Sequence, residues 1–513
     1  MPTRPVGVYR GAVSPAFAPT SPDPVAPLRQ IADQAFSRAA GAPLVPGNRV
    51  RLLKDAAENY PAWLDAIAAA RRTIHFESYI VHDDAIGRRF AEALAARARA
   101  GVRVRVLYDF VGALGKSSRA LWRIMRDAGA EVRVFNPPRL DSPLGWLSRD
   151  HRKMLAVDGR IGFVTGLCVG RMWVGDPARG LEPWRDTGVE VRGPAVAAIE
   201  RAFAQTWGAA GDPLPEGDLP DESEIAAEGD VAMRVIASTP YTAGLYRLDQ
   251  LVAAFARKTL WVTDAYFVAT ATYVQALAAA ARDGVDVRLL VPGLSDVPLV
   301  RHLTRAGYRA LLEAGVRVFE WNGPMLHAKS AVTDGRWARV GSSNLNIASW
   351  LGNWELDVAI EDEPFARAME QMYLDDLSRA TEIVLGPRRR IQVPGRTHRS
   401  RPRRLGSAGS ASRVAAGAIR IGNTVGAAIA DRRTLGPAEA RVTAAAGAAC
   451  VALAAVALLI PELIVVPTVL LGGWIGIALL VRAHRLHRQG REARRADLSA
   501  ASRPEAEQRG GDG

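Results

Sequence analysis

The chain has 513 residues, which is long enough for two or more domains that each bury a core. Its net charge of +13 resides in residues 388–513, where 21 arginines face 8 acidic residues, so residues 1–387 are neutral overall and lack the excess positive charge typical of nucleic-acid-binding proteins. The two cysteines, Cys168 and Cys450, exclude a disulfide framework and a zinc site built on cysteine pairs.

The chain begins with a segment that predicts disorder and continues into an α/β domain. Residues 1–27 are rich in proline, alanine and valine without a continuous apolar stretch, so they predict a disordered leader rather than a secretory signal. Residues 28–225 predict the first of two α/β halves. Its strands are predicted at Ile74–Val81, Gly101–Tyr108 and Glu131–Phe135, and its helices at the spacing of Phe90, Leu94 and Ala98 and over about Ser118–Ala128.

Residues 226–387 repeat this order of elements and predict a second half. The string Gly284-Val-Asp-Val-Arg matches Gly101-Val-Arg-Val-Arg, which favours duplication over a chance likeness between α/β units. Alternating strands and helices predict an α/β fold class with two duplicated α/β/α sandwich halves and a site at their interface. The strands are predicted at Leu260–Phe267, Gly284–Val291 and Gly315–Glu320, and the helices over Tyr273–Ala281 and up to Glu313.

Residues 388–440 predict a basic linker. Eight arginines and no acid lie in residues 388–404. Within Ser412–Ala430, apolar residues recur at spacings of three and four, which is typical of an amphipathic helix. Such a helix either lies on a membrane surface or packs on the α/β body.

Residues 441–488 predict a two-helix transmembrane hairpin. The apolar runs Ala444–Ile460 and Leu463–Val481 contain no charged residue and are near the lower limit of roughly 17–25 residues for a spanning helix. Arginines on both sides of the pair favour a hairpin whose two ends share the cytoplasmic face. The alternative is a hydrophobic hairpin that dimerises in solution. Residues 489–513 predict a disordered tail.

A short pattern, H-x-K-x4-D, occurs twice, and its two copies are 176 positions apart. The chain has 5 lysines against 61 arginines, and two of the five complete these patterns, which favours a compact, hydrated point charge at both places. The predicted catalytic residues are His151, Lys153 and Asp158 in the first copy and His327, Lys329 and Asp334 in the second. For each aspartate the alternative is a plain turn residue, because glycine follows it.

Paired imidazoles suit the exchange of phosphodiesters. Alternate residues of a strand point to one side, so each histidine is expected to project with its lysine into a pocket. One neutral imidazole attacks phosphorus, while the other protonates the departing alkoxide and later accepts a proton from the incoming hydroxyl. The lysines offset the charge of the phosphate. This chemistry needs neither a metal nor a cofactor.

Four further residues are predicted to orient the imidazoles or to bind phosphate. Asp186 follows the first histidine by 35 residues, and Glu355 follows the second by 28. These carboxylates are predicted to hold the second ring nitrogens, with ordinary surface acids as the alternative. Ser342 and Asn344, in the string G-S-S-N, are predicted to cradle phosphate oxygens.

Residues from about 47 to 386 resemble the phospholipase D superfamily, most closely its bacterial cardiolipin synthase branch. The strings that carry this resemblance are Ile74-His-Phe-Glu-Ser-Tyr-Ile, Asp150-His-Arg-Lys-Met-Leu-Ala-Val-Asp-Gly159, Trp184-Arg-Asp-Thr187, Gly323-Pro-Met-Leu-His-Ala-Lys329 and Gly341-Ser-Ser-Asn-Leu345. The resemblance implies two phospholipase D-like halves and a phosphohistidine intermediate, with His151 as the nucleophile and His327 as the acid and base. Cys168 replaces the amide of the family's first G-[GS]-x-N string and is expected to be a packed small hydrophobe.

The implied reaction passes a phosphatidyl group from one phosphatidylglycerol to a second and releases glycerol. The implied partners are phospholipid and a membrane, and the implied location is the bacterial inner membrane with the catalytic domains in the cytoplasm. The polybasic stretch beside the hairpin favours lipid over nucleic acid. Two alternatives remain open: a hydrolase that uses the same residues on phospholipid or nucleic acid, and a non-catalytic protein that binds anionic lipid.

Overall fold

The computed structural model describes residues 26–138, 148–215, 217–296, 303–386 and 390–392, together with separate helical positions between 448 and 484. The predicted leader up to residue 25, the amphipathic helix at Ser412–Ala430 and the tail at 489–513 lie outside the described residues. The described part of the chain divides into two compact units. One is an α/β body, and the other holds the helical positions between 448 and 484.

The first half of the body is a mixed sheet with helices on its faces. Its elements are α1 (Ala26–Ala40), β1 (Val45–Lys54), α2 (Asp55–Ala69), β2 (Thr73–Ser78), α3 (Ala85–Arg99), β3 (Arg103–Asp109), α4 (Phe110–Ala113), α5 (Arg119–Asp127), β4 (Glu131–Phe135), β5 (Arg149–Asp150), β6 (Lys153–Val157), β7 (Ile161–Thr165), α6 (Arg171–Val174), β8 (Thr187–Arg192) and α7 (Ala195–Ala209). The strand order is β1-β8-β7-β6-β2-β3-β4. Only the β2–β3 and β3–β4 pairs of this sheet are parallel.

The second half repeats this topology. Its elements are β9 (Val231–Ser238), α8 (Gly244–Phe255), β10 (Thr259–Thr263), α9 (Ala271–Arg282), β11 (Asp286–Pro292), α10 (Tyr308–Glu313), β12 (Arg317–Trp321), β13 (Ser330–Thr333), β14 (Trp337–Gly341), β15 (Asn353–Glu361), α11 (Glu363–Leu377), β16 (Ala380–Gly386) and β17 (Arg390–Gln392). The order β9-β15-β14-β13-β10-β11-β12 matches the first sheet strand for strand. The predicted duplication is therefore confirmed. β17 extends the sheet beyond β16, within the stretch that was expected to be a linker.

Local sequence signals explain why the helices begin where they do. Asp84, Ser118, Thr270 and Asp362 each precede a helix, and each side chain accepts a hydrogen bond from a backbone N–H of the first turn. These bonds satisfy donors that a helix terminus leaves without an internal partner. The central strands are buried on both faces, as β2 and β6 show along their whole lengths, because helices or the other half cover each side.

The two halves share one hydrophobic core between their sheets. Phe203 and Trp207 of α7 lie in it with Phe365 and Met369 of α11, and strands of both sheets complete it. Two strand pairings also cross between the halves: β1 runs antiparallel to β9, and β5 runs parallel to β15, with Asp150 opposite Trp354. The second pairing brings the segment that follows β5 against the start of β15.

The second unit is described only at separate positions. Those positions are helical and carry exposed apolar side chains, among them Val451, Leu459 and Leu480, of which Leu459 is 80% exposed. Within the described residues, no helix combines the length and the apolar character that crossing a bilayer requires.

Candidate active site

Both predicted histidines lie in extended segments that immediately precede a strand. β6 begins at Lys153 and β13 begins just after Lys329, so the histidines are not themselves strand residues as the alternation had suggested. The backbone N–H of His151 donates to the carbonyl of Trp354 over 2.9 Å, and that of His327 donates to the carbonyl of Arg185 over 2.7 Å. Each histidine is therefore held by the opposite half of the body.

The carboxylates that orient the rings also come from the opposite half of the body. Nδ1 of His151 lies 2.9 and 3.0 Å from the two carboxylate oxygens of Glu355. Nδ1 of His327 lies 2.8 Å from Oδ2 of Asp186. The structure brings both predicted acids to the predicted histidines, and each acid serves the histidine of the other half.

The hydrogen-bond pattern determines the tautomer of both rings. Burial tends to raise the pKa of Asp186 and of Glu355, but the partner imidazole and nearby lysines outweigh it, so both pKa values are lowered and the carboxylates are ionised. An ionised carboxylate can only accept, so Nδ1 of each ring carries the hydrogen and Nε2 keeps a free lone pair. Burial lowers the pKa of His151 to about 4 and that of His327 to about 3, so both rings are neutral at pH 7.

Both lysines are anchored beside the rings. Each ammonium donates to the backbone carbonyl of the histidine two residues before it, and Nζ of Lys329 also lies 3.0 Å from Nδ1 of His327. Because that Nδ1 donates to Asp186, this second approach is a close contact of charge rather than a hydrogen bond. The positive charge of Lys329 depresses the pKa of His151, and that of Lys153 depresses the pKa of His327, so the four groups act on one another across the interface.

Asp158 and Asp334 are not part of this cluster. The carboxylate of Asp158 accepts hydrogen bonds from the backbone N–H groups of Arg71, Arg72 and Thr73 at 2.7 to 2.9 Å. Asp334 binds the three equivalent amides, those before and at the start of β10, over the same distances. Lys153 and Asp158 are five positions apart along β6, which is roughly 17 Å. The structure therefore does not bring these aspartates to the imidazoles; it places them at turns at the opposite end of the strand.

The predicted phosphate cradle is only partly available to a ligand. The hydroxyl of Ser342 donates to Glu355 over 2.6 Å, so it orients the carboxylate that holds His151. Asn344 is buried, and its Oδ1 has no hydrogen-bond partner among the described residues. Cys168 occupies the matching place in the first half, where it is buried in the hydrophobic core, as expected for a small hydrophobe.

The two orienting carboxylates have different supports. Gly166 is the counterpart of Ser342, and a Cβ atom there would lie 2.2 Å from Oδ1 of Asp186, so only glycine leaves room for that carboxylate. Asp186 is held instead by the indole N–H of Trp173 over 3.0 Å. Glu355, by contrast, also accepts from the amide of Asn353 over 3.1 Å. The two halves thus reach the same ring geometry through different partners.

Three aromatic residues that the sequence reading missed enclose the imidazoles. Tyr79 packs edge-on against the ring of His151 with centroids 4.9 Å apart, and Tyr266 does the same for His327 at 6.0 Å. Trp173 packs edge-on against His327 at 5.6 Å. The tyrosines carried a signal, because Tyr79 follows β2 and Tyr266 follows β10, which are corresponding strands of the two halves. Trp173 lies in α6, outside the strings that the two halves share, so no pattern pointed to it.

The cluster can supply two neutral imidazoles, two ammonium groups and two ionised carboxylates to one substrate. Among the described residues, no group of three histidine, cysteine or acidic side chains is arranged to hold a metal ion. These residues therefore fit acid–base and nucleophilic chemistry on an anionic centre.

The sequence of this chain is similar to those of known proteins. The family model described as cardiolipin synthase, PLD-like domain, matches residues 63–207 and 252–377. The cardiolipin synthase A of Pseudomonas fluorescens (strain SBW25) is 34% identical over 385 residues, which cover 73% of this chain and 77% of that protein. The cardiolipin synthase A of Pseudomonas aeruginosa (strain LESB58) is 36% identical over 369 residues, which cover 70% and 73% respectively.

A solved structure supports the fold independently. The phosphatidylserine synthase of Haemophilus influenzae Rd KW20 superimposes with a TM-score of 0.54 and covers 69% of this chain and 92% of its own, at 13% sequence identity. The two segments matched by the family model contain the first histidine motif and the second. The chain belongs to the cardiolipin synthase branch of the phospholipase D superfamily.

Proposed function

We propose that the chain transfers a phosphatidyl group from one phosphatidylglycerol to a second through a phosphohistidine, with release of glycerol. The observation that carries this proposal is the crossed pairing of the imidazoles with the carboxylates of the opposite halves. That pairing leaves Nε2 of both His151 and His327 free for chemistry. It also places both rings under the influence of both lysines, as an anionic phosphodiester requires.

In the first step, Nε2 of His151 attacks phosphorus and the bond from phosphorus to the glycerol oxygen breaks. His327, which takes up a proton at Nε2 from water when substrate binds, delivers that proton to this oxygen, and glycerol leaves. In the second step, the terminal hydroxyl of another phosphatidylglycerol gives its proton to Nε2 of His327, and its oxygen attacks phosphorus. The bond between nitrogen and phosphorus then breaks, which restores both rings. The assignment of His151 as the nucleophile rests on the resemblance to the family.

The environment of His327 has to change before it can act as an acid. Burial and the charge of Lys329 keep the ring neutral in the free protein, with a pKa of about 3. A phosphodiester anion between the two lysines would offset their positive charge and favour the imidazolium. Substrate binding therefore raises the pKa of His327 toward the working pH. Asp186 supports this step because its negative charge stabilises the protonated ring.

The proposal includes attachment to the bacterial inner membrane through residues 441–488, with the body on the cytoplasmic side. Support comes from the two uncharged apolar runs, Ala444–Ile460 and Leu463–Val481, and from the arginines that flank them. The helical state and exposed apolar side chains of the described positions between 448 and 484 are in keeping with this role.

The full chain, purified and placed in phosphatidylglycerol vesicles, should release glycerol and form a lipid with four acyl chains. His151→Ala and His327→Ala should each reduce glycerol release by a factor of about 10³ or more, since the steps they perform have no substitute. Lys329→Met removes one of the two ammonium groups and should also reduce glycerol release. Lys258→Met is its matched control, because Lys258 is an exposed lysine near the opposite end of β13.

The products separate the competing functions. Phosphatidic acid in place of the four-chain lipid would make the chain a hydrolase. Cleavage of single-stranded DNA without lipid turnover would favour a nuclease. Full activity in both histidine variants would refute the catalytic assignment, and vesicle binding without any turnover would leave only a lipid-binding role.

A further inference from the structure

Five large apolar side chains of the body are exposed on loops beside the histidines. They are Leu114, Val174, Leu181, Tyr241 and Leu351, together called the mouth surface below. Tyr241 is 88% exposed and Leu114 is 62% exposed. Single apolar residues on a surface are ordinary, but several near one site indicate an interaction surface. The position of each of the five can be traced to the catalytic cluster through packed neighbours.

Leu114 reaches the first histidine through α4. Gly112 of this short helix packs so closely on Tyr79 that a Cβ atom there would lie 2.4 Å from the Tyr79 carbonyl oxygen. The ring of Tyr79 in turn packs on His151. Leu114 follows α4 directly, so its exposed side chain lies at the edge of the site on the side of His151.

Val174 and Leu181 border the second histidine. Val174 follows Trp173, whose ring packs on His327 and whose indole N–H holds Asp186. Leu181 lies on the same loop, which a backbone bridge between Asp176 and Leu181 closes. Val174, at the end of α6, and Leu181, in the loop after it, therefore lie close in sequence to Trp173, which supports the orienting carboxylate of His327.

Tyr241 and Leu351 lie beside the carboxylate of the first histidine. Tyr241 follows Ser238, which pairs with Glu355 across β9 and β15, and the backbone N–H of Tyr241 donates to the carbonyl of Leu351 over 3.1 Å. Tyr241 has φ of +70°, a conformation that costs a bulky side chain energy. The loop thus holds an aromatic ring in water at the expense of backbone strain.

Basic residues accompany these apolar side chains. Lys116 and Arg119 follow Leu114, and Arg171 precedes Val174. Neither Arg119 nor Arg171 forms an ion pair with any residue that the structure describes, whereas Asp176 on the same loop is paired with Arg179. Arg119 and Arg171 are exposed, whereas Lys116 is half-buried. The two exposed guanidinium groups, among exposed apolar side chains, complement a surface that has anionic phosphates above hydrocarbon.

We propose that the mouth surface docks onto an anionic phospholipid bilayer, with its apolar side chains in the interfacial region and its cations on the lipid phosphates. The proposal rests on the function proposed above and adds how substrate reaches the site. A diacyl lipid that entered through water would expose its acyl chains, which is unfavourable in proportion to their apolar area. Docking of the mouth surface avoids that exposure, because the headgroup can reach the histidines while the acyl chains stay among apolar groups.

Turnover of two substrates by the full chain tests the kinetic consequence. The combined variant Leu114→Ser, Val174→Ser, Leu181→Ser and Tyr241→Ser should slow glycerol release from phosphatidylglycerol vesicles at least about fivefold at limiting lipid. Its rate on monomeric dibutyroyl phosphatidylglycerol should stay within about twofold of the parent. Phe255→Ser with Val384→Ser is the matched control, since both are exposed apolar residues away from the mouth. Equal losses on both substrates, or no loss on vesicles, would overturn the proposal.

Hydrogen–deuterium exchange tests docking without relying on turnover. In the full-length His151→Ala variant, residues 110–116, 171–182, 239–243 and 348–352 should exchange more slowly with vesicles of phosphatidylglycerol and phosphatidylcholine (1:3) than with pure phosphatidylcholine. Residues 253–258 and 381–386 should not respond, and monomeric dibutyroyl phosphatidylglycerol should not reproduce the protection. Unchanged exchange in the four mouth segments refutes docking. If the parent chain turns over neither substrate, the proposed function fails, while this measurement still decides whether the surface docks.

Discussion

Lys329 illustrates how burial tunes a charged group that the reaction requires. Burial lowers the pKa of its ammonium to about 8, and Lys153 adds to the effect, whereas Asp186 opposes it. A group with a depressed basic pKa is charged below that pKa and neutral above it. An additional fall in kcat/KM on phosphatidylglycerol should therefore set in as the pH rises through about 8, beyond the decline that neutral His327 already imposes, since this parameter reports the free protein.

The variant Lys329→Arg separates this group from other titrating residues. A guanidinium stays charged throughout the accessible range, so the additional fall above pH 8 should disappear, although the planar group should lower the absolute rate by roughly tenfold. Lys258→Arg should leave the profile unchanged. A fall near pH 8 that persists in Lys329→Arg would assign the titration to a different residue.

Adjacent serines provide a second comparison at the scale of single residues. The hydroxyl of Ser342 donates to Glu355, whereas that of Ser343 donates to the buried carboxylate of Asp357, away from the imidazoles. A hydrogen bond to a charged group contributes about 1.5 kcal/mol or more. Ser342→Ala should therefore lower kcat roughly tenfold because His151 loses part of its support.

Ser343→Ala should instead lower the free energy of unfolding by about 1–2 kcal/mol and leave kcat unchanged. Urea unfolding and glycerol release, measured on both variants, give the two readouts. If the two variants lose activity equally, Ser342 does not act through Glu355 and the geometry around His151 has a different determinant.

At the scale of elements, we expect the aspartate of each motif to join two strands rather than to take part in the chemistry. Asp158 and Asp334 have φ of +57° and +53°. Each carboxylate accepts three hydrogen bonds from backbone N–H groups before and at the start of β2 or β10. Alanine at either position would leave those donors without their acceptor and would adopt a conformation that favours glycine and asparagine. Asp158→Ala and Asp334→Ala should each destabilise the body by about 2 kcal/mol or more.

The rate per folded molecule should hardly change in these two variants, because the carboxylates do not reach the imidazoles. Asp158→Asn should lose less stability than Asp158→Ala, since asparagine tolerates positive φ and still offers one acceptor oxygen. The midpoint of denaturant unfolding and the rate per folded active site, measured for each variant, distinguish a loss of stability from a loss of catalysis. A large loss of rate in a fully folded Asp158→Ala would restore the catalytic role that the repeated pattern had suggested.

The elements themselves were largely predictable from the sequence. The strand at Glu131–Phe135 agrees with the structure at both ends, and the helix at about Ser118–Ala128 differs by one residue at each end, because apolar periodicity and a capping serine are local signals. The exchange of carboxylates between halves was not predictable. Asp186 and Glu355 are each closer in sequence to the histidine that they do not hold, and the exchange follows from two contacts between the halves, the pairing of β5 with β15 and the bridge between Arg185 and Leu326.

At the scale of the whole molecule, duplication explains both what the sequence reveals and what it conceals. Repetition exposed the histidines and lysines because both halves need them. The same repetition drew attention to Asp158 and Asp334, which the structure places at turns away from the imidazoles, since a shared turn is repeated as faithfully as a shared catalytic group. Trp173 and Gly166 went unnoticed for the opposite reason. They belong to the half in which Asp186, rather than a glutamate, holds the ring: Trp173 donates to this carboxylate, and Gly166 leaves room for it where the other half has Ser342.

The whole chain is expected to meet the membrane through two separate contacts, the C-terminal apolar runs and the mouth surface. Two linked contacts bind far more strongly than either alone, because the second forms at a high effective concentration. The contacts differ in their physics: burial of apolar helices resists salt, whereas cations on lipid phosphates are screened by it. Deleting residues 436–488 should therefore convert a protein that leaves membranes only with detergent into one released by about 1 M salt.

The deleted chain should still turn over monomeric dibutyroyl phosphatidylglycerol, since the α/β body contains every residue of the catalytic cluster and its own core. Sedimentation of membranes, washed in parallel with salt and with detergent, measures the release. If the deleted chain still requires detergent, the apolar runs are not the principal anchor. If salt alone releases the full chain, those runs do not insert, and the mouth surface with the basic stretch must account for all membrane binding.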